Sequence, residues 1–171
     1  DAFAIVWHKG ELIGLNSSGF APEAITAEQV KAQGHSTMPT FGWTPVTVPG
    51  AVKAWKSLNE RFGKLTLAQC LAPAIRYAEE GYPCSPVLAH YWQAAFDKYK
   101  KEFAGNPEFD EWFATFAPQG HAPQPGDKIT LKNHAETLKE IGRTQADSVY
   151  QGQIADQIDA CSRKYGGYLR K

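Results

Sequence analysis

The 171 residues suffice for one domain with a true hydrophobic core, and 43% hydrophobic with 21% charged residues is an ordinary globular composition. Eighteen Lys plus Arg balance eighteen Asp plus Glu, which removes the electrostatic footprint expected of a nucleic-acid or anionic-membrane binder. No run is long and apolar enough for a transmembrane helix, and no signal-peptide pattern opens the chain. The three cysteines, Cys70, Cys84 and Cys161, cannot all pair internally, and no two stand at metal-ligand spacing. They read as buried or half-buried thiols, a Cys70–Cys84 bridge staying open, and they say little about compartment.

In chain order, Phe3–His8 and Glu11–Asn16 are apolar runs joined by Lys9-Gly10, which predicts a tight hairpin. Both faces of the first run are apolar (Phe3, Ile5, Trp7 against Ala4, Val6, His8), so the hairpin is expected to belong to a larger, covered sheet. Past Ser17-Ser18-Gly19 the chain turns helical, from about residue 22 to 167. Thr26 is placed to cap a helix to about Gln33, and Gly34–Val48 reads as loop. Pro49 suits a first helical turn, followed by one face of Val52, Trp55, Leu58 and Phe62 ending at Gly63. Thr66-Leu67-Ala68-Gln69 is a capping box for a helix carrying Leu67, Leu71, Ala74, Ile75 and Ala78, with Pro73 expected to kink it and Gly81 to stop it. Ser85-Pro86 and Asn106-Pro107 are cap-and-first-turn pairs, the first for a helix to about Phe103 and the second for a short helix with Phe109, Trp112 and Phe113. Residues 117–126 read as loop, and Asn133–Ile141 and Ala155–Tyr165 as the last helices. The opening run reads as a strand already under way and Gly166-Gly167 as a helix stop before another element, so both ends are expected to be cuts in a longer protein. The fold class expected is α+β, mostly helical, with residues 1–171 forming one piece.

Five segments in order resemble the large subunit of the γ-glutamyltranspeptidase family and its cephalosporin-acylase-like relatives. They are Gly14–Pro22, Val46–Trp55, Phe62–Gln69 leading to Pro73-Ala74-Ile75 and Ala78–Tyr82, Pro125–Ile129 with Leu138–Gly142, and Tyr150–Ile158 running to Gly166-Gly167. Each alone is a helix start or a turn; their common order carries the resemblance, which spans nearly the whole chain and is least distinctive over residues 85–117.

The resemblance implies an αββα N-terminal-nucleophile hydrolase, cut by itself into a large and a small subunit. The new N-terminal Thr of the small subunit is the nucleophile, with its own α-amine as base. It cleaves γ-glutamyl amides such as glutathione through an acyl-enzyme, and no metal or organic cofactor is required. The implied partners are the small catalytic subunit and the remaining large-subunit segments. This chain holds no Thr-Thr pair, so no catalytic residue is assigned within it, and alone it is expected to be inactive. In typical members an Arg in a run like Asp-Phe-Arg-Glu-Met-Ala-Pro clamps the substrate α-carboxylate, as its planar fork suits. Alignment on Ala21-Pro22 puts Ser18 there, and the alternative Arg position before Ala-Pro holds Phe20. Ser17, Ser18 and Phe20 are therefore the expected substrate-binding residues. An acylase of this fold with a non-glutamyl substrate is one alternative, and a non-catalytic helical binding module is the other.

Other groups take plainer readings. Ser17 and Ser18 lack a nucleophile elbow and read as turn residues. His8, His35, His90, His121 and His134 show no metal spacing. Tyr91, Trp92, Phe96, Tyr99 and Phe103 form a helical stripe expected to pack on Phe109, Trp112 and Phe113 rather than stack bases. Glu79-Glu80 and Asp156 with Asp159 read as solvated surface.

Overall fold

In the computed structural model, which describes all 171 residues, strands β1 (Ala2–His8) and β2 (Glu11–Ser17) pair antiparallel from Ala2 opposite Ser17 to His8 opposite Glu11. Lys9 and Gly10 both take positive φ, 51° and 87°, the primed-turn geometry that matches strand twist. One face (Ala4, Val6, His8, Ile13, Leu15) is half-buried against helix α2 (Ala51–Phe62), with the His8 and Phe62 rings 5.2 Å apart. The other face is bare: Phe3, Ile5, Trp7 and Leu12 are 68–78% exposed.

The residues group into two compact units, Asp1–Leu71 with Lys139–Lys171, and Ala72–Leu138. The first holds the hairpin, α1 (Ala27–Ala32), α2, α7 (Asp147–Tyr150) and α8 (Gln153–Lys164), together with the start of α3 (Leu67–Glu80) and the end of α6 (Lys132–Arg143). Thr26 and Gln29 cap α1 reciprocally, and Thr66 and Gln69 do the same for α3. Two expectations for α2 need correction. Pro49 lies one residue before the N-cap, Gly50, and so outside the first turn. Trp55 is 39% exposed and Ala54, at 1%, is the buried residue instead: the buried stripe is turned by one residue, about 100° around the helix. Pro73 lies inside an unbroken α3 span, and Gly81 ends it with φ 89°.

In the second unit Ser85 caps α4 (Pro86–Phe103) with Pro86 in its first turn. Asn106 caps a single 3₁₀ turn, Pro107–Phe109, that leads into α5 (Asp110–Phe116). The aromatic stripe packs as expected: Phe96 on Phe113, Tyr99 on Trp112 at 4.6 Å, Phe103 stacked on Phe109 at 3.9 Å. Trp92 lies edge-on to Phe116 and donates its indole N–H to the Phe116 carbonyl at 2.8 Å. Tyr91 departs from the stripe and is 68% exposed. A two-residue ladder, β3 (Tyr82–Pro83) on β4 (Lys128–Ile129), lay outside the sequence reading.

All three thiols are free: Cys84 is buried and Cys161 half-buried, but Cys70 is exposed, contrary to expectation. Asp156 is exposed, as expected, but Asp159 is half-buried; each holds a cation, Lys171 at 2.6 Å and Arg163 at 2.7 Å. No helix is long and apolar enough to cross a membrane.

Candidate functional site

In the first unit, β2 leaves the sheet at Ser17 and the chain folds back over the start of α2. Two backbone segments meet there without room for a side chain between them. A Cβ on Gly19 (φ 80°) would overlap the Val48 carbonyl oxygen, and a Cβ on Gly50 would overlap the Ser17 carbonyl oxygen. The segments are tied: the Val48 N–H donates to the Phe20 carbonyl at 2.9 Å, and the Ser17 hydroxyl donates to the Gly50 carbonyl at 2.7 Å. The Ser18 N–H donates to the Asn16 side chain at 3.1 Å.

These segments wall a cavity of about 600 Å³ whose lining is mostly apolar. Ser17, Ser18 and Phe20, the three substrate-binding expectations, all line it. Phe20 is 84% exposed, an aromatic ring held in solvent by the loop behind it. Neither Ser18 nor Phe20 supplies a positive charge, and the cationic residue of the lining is Lys53 on α2.

The opposite wall comes from α7 and contributes Asp147 and Tyr150, which the sequence reading did not single out. Lys56 donates to Asp147 at 2.7 Å, also approaching Glu60 at 3.9 Å. The Lys56 hydrogen bond and charge hold the Asp147 carboxyl below the usual carboxylate range, and Asp147 in turn raises the Lys56 ammonium. The Tyr150 hydroxyl donates to the Pro49 carbonyl at 2.7 Å and accepts from the Lys53 N–H at 2.9 Å. Burial pushes this phenol above its ordinary range, and the Lys53 bond opposes that rise. α7 is entered through two non-glycine residues with positive φ, Gln145 (50°) and Ala146 (71°). Ala146 is fully buried, so packing holds a conformation that costs about 1 kcal/mol or more.

The second unit has a smaller hollow of about 300 Å³ beside Trp92, Phe116 and His121. The His121 ring nitrogen there meets the Ala122 carbonyl at 2.9 Å. Nearby Cys84 is pushed up, first by burial and then by the charge of Asp127. No three His, Cys, Asp or Glu side chains converge as metal ligands would.

The cavity of the first unit combines two tied backbone segments, three serines (Ser17, Ser18 and Ser57) and an aromatic lip. Its mostly apolar lining with a few hydroxyls suits a small, partly apolar molecule; it contains no nucleophile–base pair of the kind covalent catalysis uses.

Comparison with known proteins covers the whole chain. The gamma-glutamyltranspeptidase family profile matches residues 1–171. A glutathione hydrolase-like proenzyme of Bacillus subtilis, YwrD, is 30% identical over 99% of this chain and 31% of its own length. The crystal structure of cephalosporin acylase from Bacillus halodurans is 51% identical with a TM-score of 0.95, over 98% of this chain and 31% of that one. Helicobacter pylori gamma-glutamyltranspeptidase is 28% identical with a TM-score of 0.84, over 99% of this chain and 48% of that one. The 171 residues thus span under half the length of these relatives, which carry further segments. Family profile, sequence relatives and fold agree: the chain belongs to the gamma-glutamyltranspeptidase family.

Proposed function

We propose that these residues are a large-subunit segment of an autoprocessed amidohydrolase or acyltransferase that cleaves γ-glutamyl amides such as glutathione. The observation that carries the reading is the convergence of Ser17, Ser18 and Phe20 on one cavity, in a chain that belongs to this family. The nucleophile is an N-terminal Thr outside these residues. Its hydroxyl oxygen attacks the amide carbon, the C–N bond breaks, and the amine leaves with a proton returned by the Thr α-amine. Water or an acceptor amine then takes the acyl group from the Thr ester. This chain supplies the acyl pocket: the Ser17 and Ser18 segment offers hydrogen bonds, and Phe20 an apolar lip. The bare hairpin face of Phe3, Ile5, Trp7 and Leu12 is the surface that the small subunit and the rest of the parent protein would cover, since apolar faces of that kind mark interfaces.

A second reading, an acylase acting on a non-glutamyl chain, rests on the absence of positive charge at Ser18 and on the exposed ring of Phe20. One experiment addresses both. The complete parent protein is expressed, its N-termini are sequenced, and hydrolysis of γ-glutamyl anilide is compared with that of aliphatic acyl anilides. Two chains, the smaller beginning with Thr, and a preference for γ-glutamyl anilide are expected. Preference for the aliphatic amides moves the assignment to the acylase. A single, inactive chain removes the enzymatic reading and leaves a binding module.

A further inference from the structure

Helix α2 begins in the ordinary way, leaving its first N–H groups without partners inside the helix. The first backbone bond of the helix runs from the Ala54 N–H to the Gly50 carbonyl at 3.1 Å. One residue earlier, the Pro49 carbonyl and the Lys53 N–H stand in the same i, i+4 relation, yet they do not bond to each other. The Tyr150 hydroxyl sits between them, donating to the carbonyl at 2.7 Å and accepting from the amide at 2.9 Å. A phenol has one donor and acceptor capacity, so a single oxygen satisfies an unpaired N–H of the helix start and the carbonyl of the residue before the N-cap.

This insertion has a consequence for the cavity. Through Pro49, Tyr150 holds the Val48–Gly50 segment, and that segment runs alongside Ser17–Phe20 and makes the Val48 to Phe20 and Ser17 to Gly50 bonds. Gly19 and Gly50 leave the two segments no slack, because a Cβ at either would strike backbone oxygen. Tyr150 is the link between the α7 wall and the Ser17–Phe20 wall, 101 residues away from Pro49 in sequence.

We propose that Tyr150 is a positioning residue for the acyl pocket, acting as a hydroxyl wedge in the first turn of α2 that sets where Ser17, Ser18 and Phe20 stand. The proposal rests on the acyl-pocket reading for its kinetic consequence and on geometry alone for its structural one. A residue that positions a binding wall affects how well the substrate is held more than how fast the bound substrate reacts.

The test uses the complete, processed parent protein carrying Tyr150→Phe, which keeps the ring and removes the hydroxyl. Removing the wedge should raise KM for the preferred acyl anilide about fivefold with kcat within about twofold, the size of one lost hydrogen bond. Ser85→Ala, a helix cap in the other unit, is the stability-matched control and should leave KM unchanged. Hydrogen exchange at the Val48 amide, which bonds Phe20, should quicken in Tyr150→Phe and stay slow in the control. An unchanged KM, an equal rise in the control, or a fall in kcat alone overturns the proposal. If the wild-type protein cleaves no acyl anilide, the functional reading fails separately, and the exchange rate at Val48 decides the wedge. If Tyr150→Phe does not fold, Tyr150 is a folding residue and the proposal is overturned.

Discussion

The two units reach order by opposite means. Around the cavity of the first, fit depends on atoms that are missing: Gly19 and Gly50 allow backbone to touch backbone, and the buried positions Ala54 and Ala146 carry only a methyl. In the second, fit depends on atoms that are present, in the interlocked rings of Trp92, Phe96, Tyr99, Phe103, Phe109, Trp112, Phe113 and Phe116. A ring core tolerates partial loss because its neighbours can relax into the space. A backbone apposition has nothing that can give, since a carbonyl oxygen cannot move without moving its chain. The site is built in the first unit's way, by clearance and hydrogen bonds, where small geometric changes have large effects.

The sharpest way to break that contrast is Gly19→Val, which places a branched side chain at φ 80° against the Val48 carbonyl. A loss of about 4 kcal/mol or more is expected, read as failure to fold or a collapse of Tm; a mild effect would mean that the apposition is soft. Phe96→Ala in the ring core should cost about 3 kcal/mol, measured by denaturant unfolding. Phe96→Leu should recover most of that loss, as the same apposition argument forbids for Gly19. Ser85→Ala removes an N-cap from α4 and should cost about 1 kcal/mol, without changing the aromatic near-ultraviolet signal. The smallest effect belongs to Asp147→Asn, which removes the Lys56 ion pair from the cavity rim. Because the Asp147 carboxyl titrates below its ordinary range, the stabilisation is present above about pH 4 and lost as the pH falls through the lowered value. The Tm difference between wild type and variant should therefore be greatest near neutrality and vanish in acid. A difference that persists at low pH would show that the pair does not account for it.

The contrast also explains what could be read from sequence. The caps Thr26, Thr66, Ser85 and Asn106 and the stop at Gly81 were legible because each is satisfied by chemistry within a few residues. The ring core was legible because its stripe repeats at helical spacing. α7 was not: its entry through Gln145 and Ala146 uses positive φ without the glycine or asparagine that would signal it. Trp55 was put on the buried side because hydrophobicity favours it, whereas the residue that is buried there is Ala54. Ser17, Ser18 and Phe20 were singled out through family resemblance, and they line the cavity. Asp147 and Tyr150 were invisible, since they reach the cavity only by a return of the chain about a hundred residues later, and nothing local records that return.

The three free thiols divide along the same line. Cys70, in the first unit, is exposed and should be the first to react with a maleimide. Cys161, also in that unit, is half-buried and should follow more slowly. Cys84, in the second, is buried and held in its unreactive protonated form by its surroundings. A single alkylation time course on unmodified protein therefore carries separate clocks for the two halves of the molecule. It needs no introduced probe, and mass spectrometry can read which half breathes first.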